Sequence, residues 1–378
     1  MHATQSKPQY NWMNITFIVG TTAAALFGTA YWLWSGRFNW ATVGLTAFYF
    51  LATGLAITAG YHRLFSHRSY EAAAPVKWFF VFFGAAAFQG TVIDWSYDHR
   101  IHHRYEDTER DPYGIQKGFW FAHVGWLFTK TWNADESKVK DLWAEPLLRF
   151  QHHYYIPIAT LMCFVLPMGL GALWGDAFGG LFVAGAFRLV VNHHFTWLIN
   201  SLCHYAGSRP YSDSITARDN WFTALFTYGE GYHNFHHTFP SDYRNGVRWF
   251  DYDPTKWLIG LLSQVGLAWN LRRVSPERIL ERRVALQEKY LIERLSRRAP
   301  AATSWATQMI ATAKAHLNTA AGQLSHLREH YQSLKAQKGE EFAHQLEEAK
   351  RKLKQAQLEF RRSVAMWQTM ARGLAKLA

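Results

Sequence analysis

A chain of 378 residues has room for one substantial domain and an appendage, and its 17% aromatic content, with 18 Trp, 18 Tyr and 27 Phe, points to a membrane rather than a water-soluble protein. The net charge of +12 would suit a nucleic-acid partner, but the Lys and Arg residues fall beside apolar segments and in a helical tail, so positive loops and a solvated tail account for it and no nucleic acid is expected. Cys163 and Cys203 both lie in or beside apolar segments, which excludes a disulfide framework or a zinc-cysteine site.

In chain order, four segments reach the ~20 apolar residues that a bilayer crossing needs, at about 13–34, 40–60, 155–174 and 178–199. Trp and Tyr cluster at their ends, as interface anchors do. The first is too long for a signal-peptide core and only Lys7 precedes it as a basic residue, so it is expected to be retained.

Behind the second segment comes His62-Arg-Leu-Phe-Ser-His67, the first of three histidine boxes; the others are His99-Arg-Ile-His102-His103 and His233-Asn-Phe-His236-His237. Imidazole suits iron, copper and zinc, and eight imidazoles exceed the coordination of one ion, so the count points to two metals. Residues i, i+3 and i+4 share a helix face, so each HxxHH run can aim three rings at one point. His62 and His67, at i and i+5, share no face of a regular helix and fit the frayed end of one. The pairs His152-His153 and His193-His194 lack this spacing and read as structural, as do the isolated His123, His316 and His344.

Between the first two boxes, the apolar run Trp78 to Phe88, within 76–94, is too short to span. If it crossed, those boxes would face opposite sides and could not share a site. An interfacial or re-entrant segment is expected. Two crossings then separate the second box from the third, which brings all three to one face. The far-side loops 35–39 and 175–177 hold one Arg between them, so the boxes face the cytoplasm.

After Ser275 the composition turns to Arg, Lys, Glu, Gln and Ala. Leu346, Leu353, Phe360 and Trp367 recur every seventh residue, with Ala349, Ala356, Ser363 and Met370 three behind, an a/d seam that calls for a partner helix. Leu317, Leu324 and Tyr331, with Leu327 and Leu334, form an earlier seam, and Gly339 is placed to turn between two antiparallel helices. The division expected is a membrane domain over 1–274, a linker over 275–303, and a helical hairpin or coiled coil over 304–378 that packs on itself or dimerises.

From about Thr58 to Trp249 the chain resembles the membrane fatty-acyl desaturases of the stearoyl-CoA Δ9 type. The runs HRLFSH, DHRIHH and GEGYHNFHH stand as that family's three boxes, joined by Ala59-Gly60-Tyr61-His62, Asp111-Pro112, His123-Val124-Gly125-Trp126 and Thr196-Trp197-Leu198-Ile199-Asn200-Ser201. The resemblance implies an all-α, four-span enzyme, most simply of a bacterial inner membrane, with a cytoplasmic histidine-rich cap holding two irons and using O2. It adds His204 as a ninth ligand to His62, His67, His99, His102, His103, His233, His236 and His237, and gives Asn200 a metal-bound water. Asp98, Asp107, Glu230 and Asp219 are candidates to orient the rings.

A C–H bond in mid-chain yields to no acid or base side chain, so an oxidant made from O2 is required, with electrons from outside. No Rossmann glycines, flavin motif or CxxCH occur, which implies a separate reductase with a small cytochrome or ferredoxin. The resemblance further implies a bent acyl tunnel kinked at Gln89, Thr196 and Trp197. By location Arg68, Asp98 and Lys130 are head-group contacts. The resemblance favours an acyl-CoA, but the family's Asn-Asp after the glutamine is Gly90-Thr91 here, a departure at the head-group contacts that leaves an acyl lipid open. From His62 back to Phe50 is about 18 Å of helix, room for roughly nine methylenes beyond the oxidised carbons and hence a chain of about 16 to 18 carbons. Helix phase selects Phe48 and Leu51 as stoppers, and the family's tunnel end falls near Phe50. Two alternatives remain, an alkane or fatty-acid hydroxylase with the same ligands, and a metal transporter or storage protein.

Overall fold

The computed structural model describes residues 9–129, 135–336 and 343–377. It is helical almost throughout, and it divides into two compact units, Met1–Arg209 with Ser214–Arg273, and Pro210–Asp213 with Val274–Ala378.

Among the described residues of the first unit, three helices are long and apolar enough to cross a membrane: α1 (Trp12–Trp34), α2 (Trp40–Leu55) with its continuation to Ser66, and the span Tyr155–Ala172. The fourth crossing expected, 178–199, is helical, running through Gly180–Phe187 into α3 (Arg188–Tyr205). It carries Arg188, Asn192, His193 and His194, which is why length and apolarity alone select three spans and not four.

The first histidine pair does not sit on a frayed end. Ala56–Ser66 is a fully buried π-helix, and His67 closes it, its backbone N–H donating to the carbonyl of His62 at 3.0 Å. The i to i+5 bond that defines this wider turn brings residues five apart into register, so the spacing is ordered by the helix itself. Against this π-helix lies the short α4 (Ala74–Ala85), the expected non-spanning segment. Glycines set how closely they meet: a Cβ on Gly60 would strike Phe80, and one on Gly84 would strike the ring of Tyr61. Phe80, Tyr61, Val81 and Leu64 then join Val92, Ile93 and Ile259 in the main core.

The second unit holds α5 (Pro276–Arg298), α6 (Pro300–Ala336) and α7 (Ala343–Leu377). Most of the expected 275–303 linker is therefore one helix, α5, which ends at Arg298 just before α6 begins at Pro300. Ser275 caps it by accepting from the N–H of Arg278, Pro276 occupies its first turn, and Val284, Leu291 and Leu295 line its buried face. Trp367, 1% exposed, fills the centre of a bundle with Ile310 and Leu317, and its indole donates to Gln287 Oε1 at 2.9 Å. The heptad seam of α7 is thus closed within the chain by α5 and α6. Gly339 lies outside the described residues.

Candidate metal centre

The second box lies on α8 (Val92–Tyr105), started by Thr91, whose hydroxyl accepts the N–H of Asp94. The third lies on the six-residue α9 (His233–Thr238), too short to stand alone. Asp219, expected to orient a ring, accepts the backbone N–H of Phe235 at 3.1 Å and so anchors this helix. Burial raises that carboxyl to about 7.

Nine imidazoles converge into two groups, with ring nitrogens inside each group within 4.8 Å of one another: His62, His67, His99, His103 and His236, and then His102, His204, His233 and His237. Each HxxHH run is split between the groups instead of aiming three rings at one point. The i and i+4 rings of the second box go one way and the i+3 ring the other; in the third box, i+3 separates from i and i+4. Rings on one face still diverge sideways, and a helix lying between two sites serves both.

The nitrogens fit metal. His67 and His99 Nε2 are 2.8 Å apart, His62 and His236 3.0 Å, His236 and His103 2.9 Å, His233 and His204 3.1 Å, and His237 and His233 3.0 Å. Ligands at right angles on one ion with bonds near 2.1 Å stand about 3 Å apart. The far nitrogens of four rings have partners: His62 Nδ1 with Glu230 at 2.9 Å, His102 Nδ1 with Asp111 at 2.9 Å, His237 Nδ1 with Glu106 at 2.6 Å, and His204 Nδ1 with the Thr216 hydroxyl at 2.8 Å. A proton held on Nδ1 leaves Nε2 a bare lone pair, and such lone pairs facing each other at 3 Å repel unless a cation lies between them. His102 Nε2, buried with no hydrogen-bond partner, is one such atom. Burial, reinforced by neighbouring imidazoles, pushes His67, His99, His103, His204, His236 and His237 well below the usual range and His233 down to about 3, which keeps them neutral as ligands must be.

Carboxylates complete the surround. Burial alone would raise Glu230, but Arg63 and His62 outweigh it and hold the group at about 2. Arg63, itself buried, donates to Glu230 Oε1 at 2.8 and 3.1 Å, and Asn245 donates to Oε2 at 2.6 Å. Asp107 receives both the N–H and the hydroxyl of Thr216 at 2.6 Å and so reaches His204 through that threonine. Glu106 carries no mark in the sequence, and Asp111 stands there only within the Asp111-Pro112 match, with no role attached. Asp111 stood in plain view after the second box, and its signal was the carboxylate that a ligating histidine's far nitrogen needs. Glu106 is raised to about 8 by burial and by Asp107 beside it.

A cavity of about 400 Å³ is lined by His62, His99, His102 and His233, by Asp98 and Asn200, and by Gln89, Thr196 and Trp197. Gln89 donates to the Thr196 hydroxyl at 3.0 Å. Thr53, Phe195 and Tyr228 also line it. Phe50 packs its ring on Phe195 and Tyr228, whereas Phe48 and Leu51, each 51% exposed, face outward and line no part of it. The π-helix explains the error: its turns are wider than 3.6 residues, so the face of His62 cannot be carried back at the α-helical pitch. Arg68 is exposed and pairs loosely with Asp141 at 3.9 Å, away from the cavity lining, and Lys130 lies outside the described residues.

Residues 38–273 match the family described as fatty acid desaturase. The chain is 45% identical over 287 residues to a probable acyl-CoA desaturase of Schizosaccharomyces pombe, covering 75% of this chain and 59% of that one. It is 43% identical over 287 residues to acyl-CoA desaturase 1 of Saccharomyces cerevisiae (74% and 55%), and 38% identical over 291 residues to human stearoyl-CoA desaturase (73% and 78%). The chain thus spans somewhat over half the length of the two yeast relatives.

Proposed function

The chain belongs to the fatty acid desaturase family, and we propose that it introduces a cis double bond, at Δ9, into an acyl chain of roughly 16 to 18 carbons, carried as acyl-CoA in preference to a membrane acyl lipid. The observation that carries this reading is the paired set of imidazoles, four of which line a mostly apolar cavity of about 400 Å³. Five histidines would hold one iron and four the other. When bound, the two irons supply an oxidant made from O2 that can take hydrogen from an unactivated C–H bond.

The protein supplies placement. Glu230, Asp111, Glu106 and the Asp107–Thr216 pair fix the rings, and Asn200, which lines the cavity one turn before His204 on α3, would hold a water by the metals. Gln89, Thr196 and Trp197 would bend the chain beside the centre, and Asp98, which lines the cavity, would meet the head group. The balance consumes O2, two electrons, two protons and two substrate hydrogens and yields two waters and the alkene. The electrons would come from a small cytochrome or ferredoxin with its reductase, on the cytoplasmic face of the membrane.

The test is to feed isotopically labelled stearate to cells expressing the protein and to analyse the labelled lipid by mass spectrometry. A labelled alkene is expected. A labelled alcohol would establish the hydroxylase instead, and metal flux without either product would establish a transporter.

A further inference from the structure

The turn that joins α4 to α8 carries an unusual concentration of constraint. Ala87, Phe88, Gln89, Gly90 and Thr91 all line the cavity, and within them Phe88 adopts φ 48°, the left-handed region that an aromatic residue rarely enters. Such a conformation persists where the surroundings hold it. Here one face of α3 does so. Arg188, 1% exposed inside a membrane segment, donates from Nη1 to the carbonyl of Ala86 at 3.0 Å, and from Nε to Ala184 at 3.1 Å, with its guanidinium over the Tyr49 ring at 5.5 Å. His193, buried and stacked on Trp197, places Nε2 2.7 Å from the carbonyl of Ala87. Thr196 accepts from Gln89. The turn is tied equally firmly to the metal ligands: Gln89 accepts from the Trp95 indole at 3.2 Å, and Trp95 stacks on His99 at 4.9 Å.

We propose that Arg188 and His193 are positioning residues that clamp the strained Ala86–Gln89 turn, so that the bend of the acyl cavity is registered to the metal centre and one carbon pair is presented for oxidation. Neither residue takes part in the histidine boxes, and the His193-His194 pair reads from sequence as merely structural. The physical case rests on cost. An arginine in a membrane segment is retained where it does work that an apolar residue could not, and here it satisfies carbonyls at a helix end that lie out of reach of water. The cavity wall between Ala87 and Gln89 would otherwise be free to relax from the unfavourable φ at Phe88, and the chain lying against it would slide along its own axis past the ligands.

This inference rests on the desaturase reading, and the experiment separates the two. Full-length wild type, His193→Leu, His193→Gln and Arg188→Met are expressed in cells given labelled stearate, and the double-bond position in the labelled product is read by mass spectrometry after derivatisation. His193→Leu and Arg188→Met are expected to raise the share of positional isomers about tenfold, the ratio that about 1.4 kcal/mol of lost discrimination produces. His193→Gln, which can still donate to Ala87, restores a single isomer. If His193→Leu and Arg188→Met lower the yield yet keep the wild-type position, the two residues support the fold only and the proposal fails. If wild type itself makes no alkene, the reading beneath it fails instead.

Discussion

At the scale of the residue, the informative feature is that most of the chemistry at this site is done by side chains that keep other side chains in one protonation and orientation. Asp111 and Glu106 each hold the far nitrogen of a histidine. Asp111→Asn and Glu106→Gln are therefore expected to weaken metal retention or turnover by roughly 10- to 100-fold while the protein still folds, checked by iron content after dialysis against a chelator. Unchanged iron in both would mean that the rings are held by packing alone. His204→Ala is expected to leave at most one iron and no turnover; two irons with full activity would remove His204 from the ligand set. The pH dependence follows from the same rings. In the folded metal-free protein His233 titrates near 3 and six neighbours well below their ordinary value of 6.5, so below that value the unfolded chain binds more protons than the folded one. Stability then rises with pH across this window and is lost as pH falls from about 6.5 toward 3. Thermal unfolding of the metal-free protein at pH 7 and pH 5 should show the lower midpoint at pH 5.

At the scale of the element, what the sequence revealed and what it hid have the same cause. The clustering of histidines among apolar stretches was legible because metal ligands need spacing that ordinary cores do not. The sharing of each HxxHH run between two groups was not, because periodicity reports a face and not how that face is divided. The π-helix over Ala56–Ser66 left no signature in composition, and it changed the phase of everything before it. Phe48 and Leu51, chosen by α-helical phase, turn outward, while Phe50, Thr53 and Tyr228 stand at or against the cavity. Phe50→Ala should accordingly move the substrate preference toward longer chains without moving the double bond, and Phe48→Ala and Leu51→Ala should leave the profile as it was. A competition assay with saturated acyl chains of graded length measures this. A longer-chain preference in Phe48→Ala alone would show that the cavity ends elsewhere. The helix Pro276–Arg298 was hidden for a different reason: its apolar residues are diluted by arginines, so composition resembled a linker while the Ser275 cap and the Pro276 start marked a helix.

At the scale of the whole molecule, the question is what the second unit contributes. All nine clustered histidines, and Glu106, Asp107, Asp111, Thr216 and Glu230 with them, belong to the first unit, and the second has its own core around Trp367. One short stretch complicates a clean cut. Pro210–Asp213 groups with the second unit, although in sequence it lies between His204 and Thr216, which share a hydrogen bond in the first. The ion pair within that unit joining Asp213 to Lys289 at 2.6 Å is partly exposed, with side chains 22% and 53% accessible, and such surface pairs contribute about 0 to 1 kcal/mol. Truncation after Ser275 removes Lys289 and Tyr290, both of which meet Asp213, while the Asp107–Thr216–His204 chain that orients the ring stays whole. We therefore expect the truncated protein to keep two irons and to turn over with a chemical reductant, with any deficit confined to reduction by its own electron donor or to assembly. Iron content and the ratio of the two rates decide it. A folded truncation that has lost the His204 iron would show instead that the second unit, through Pro210–Asp213, holds part of the metal centre in place.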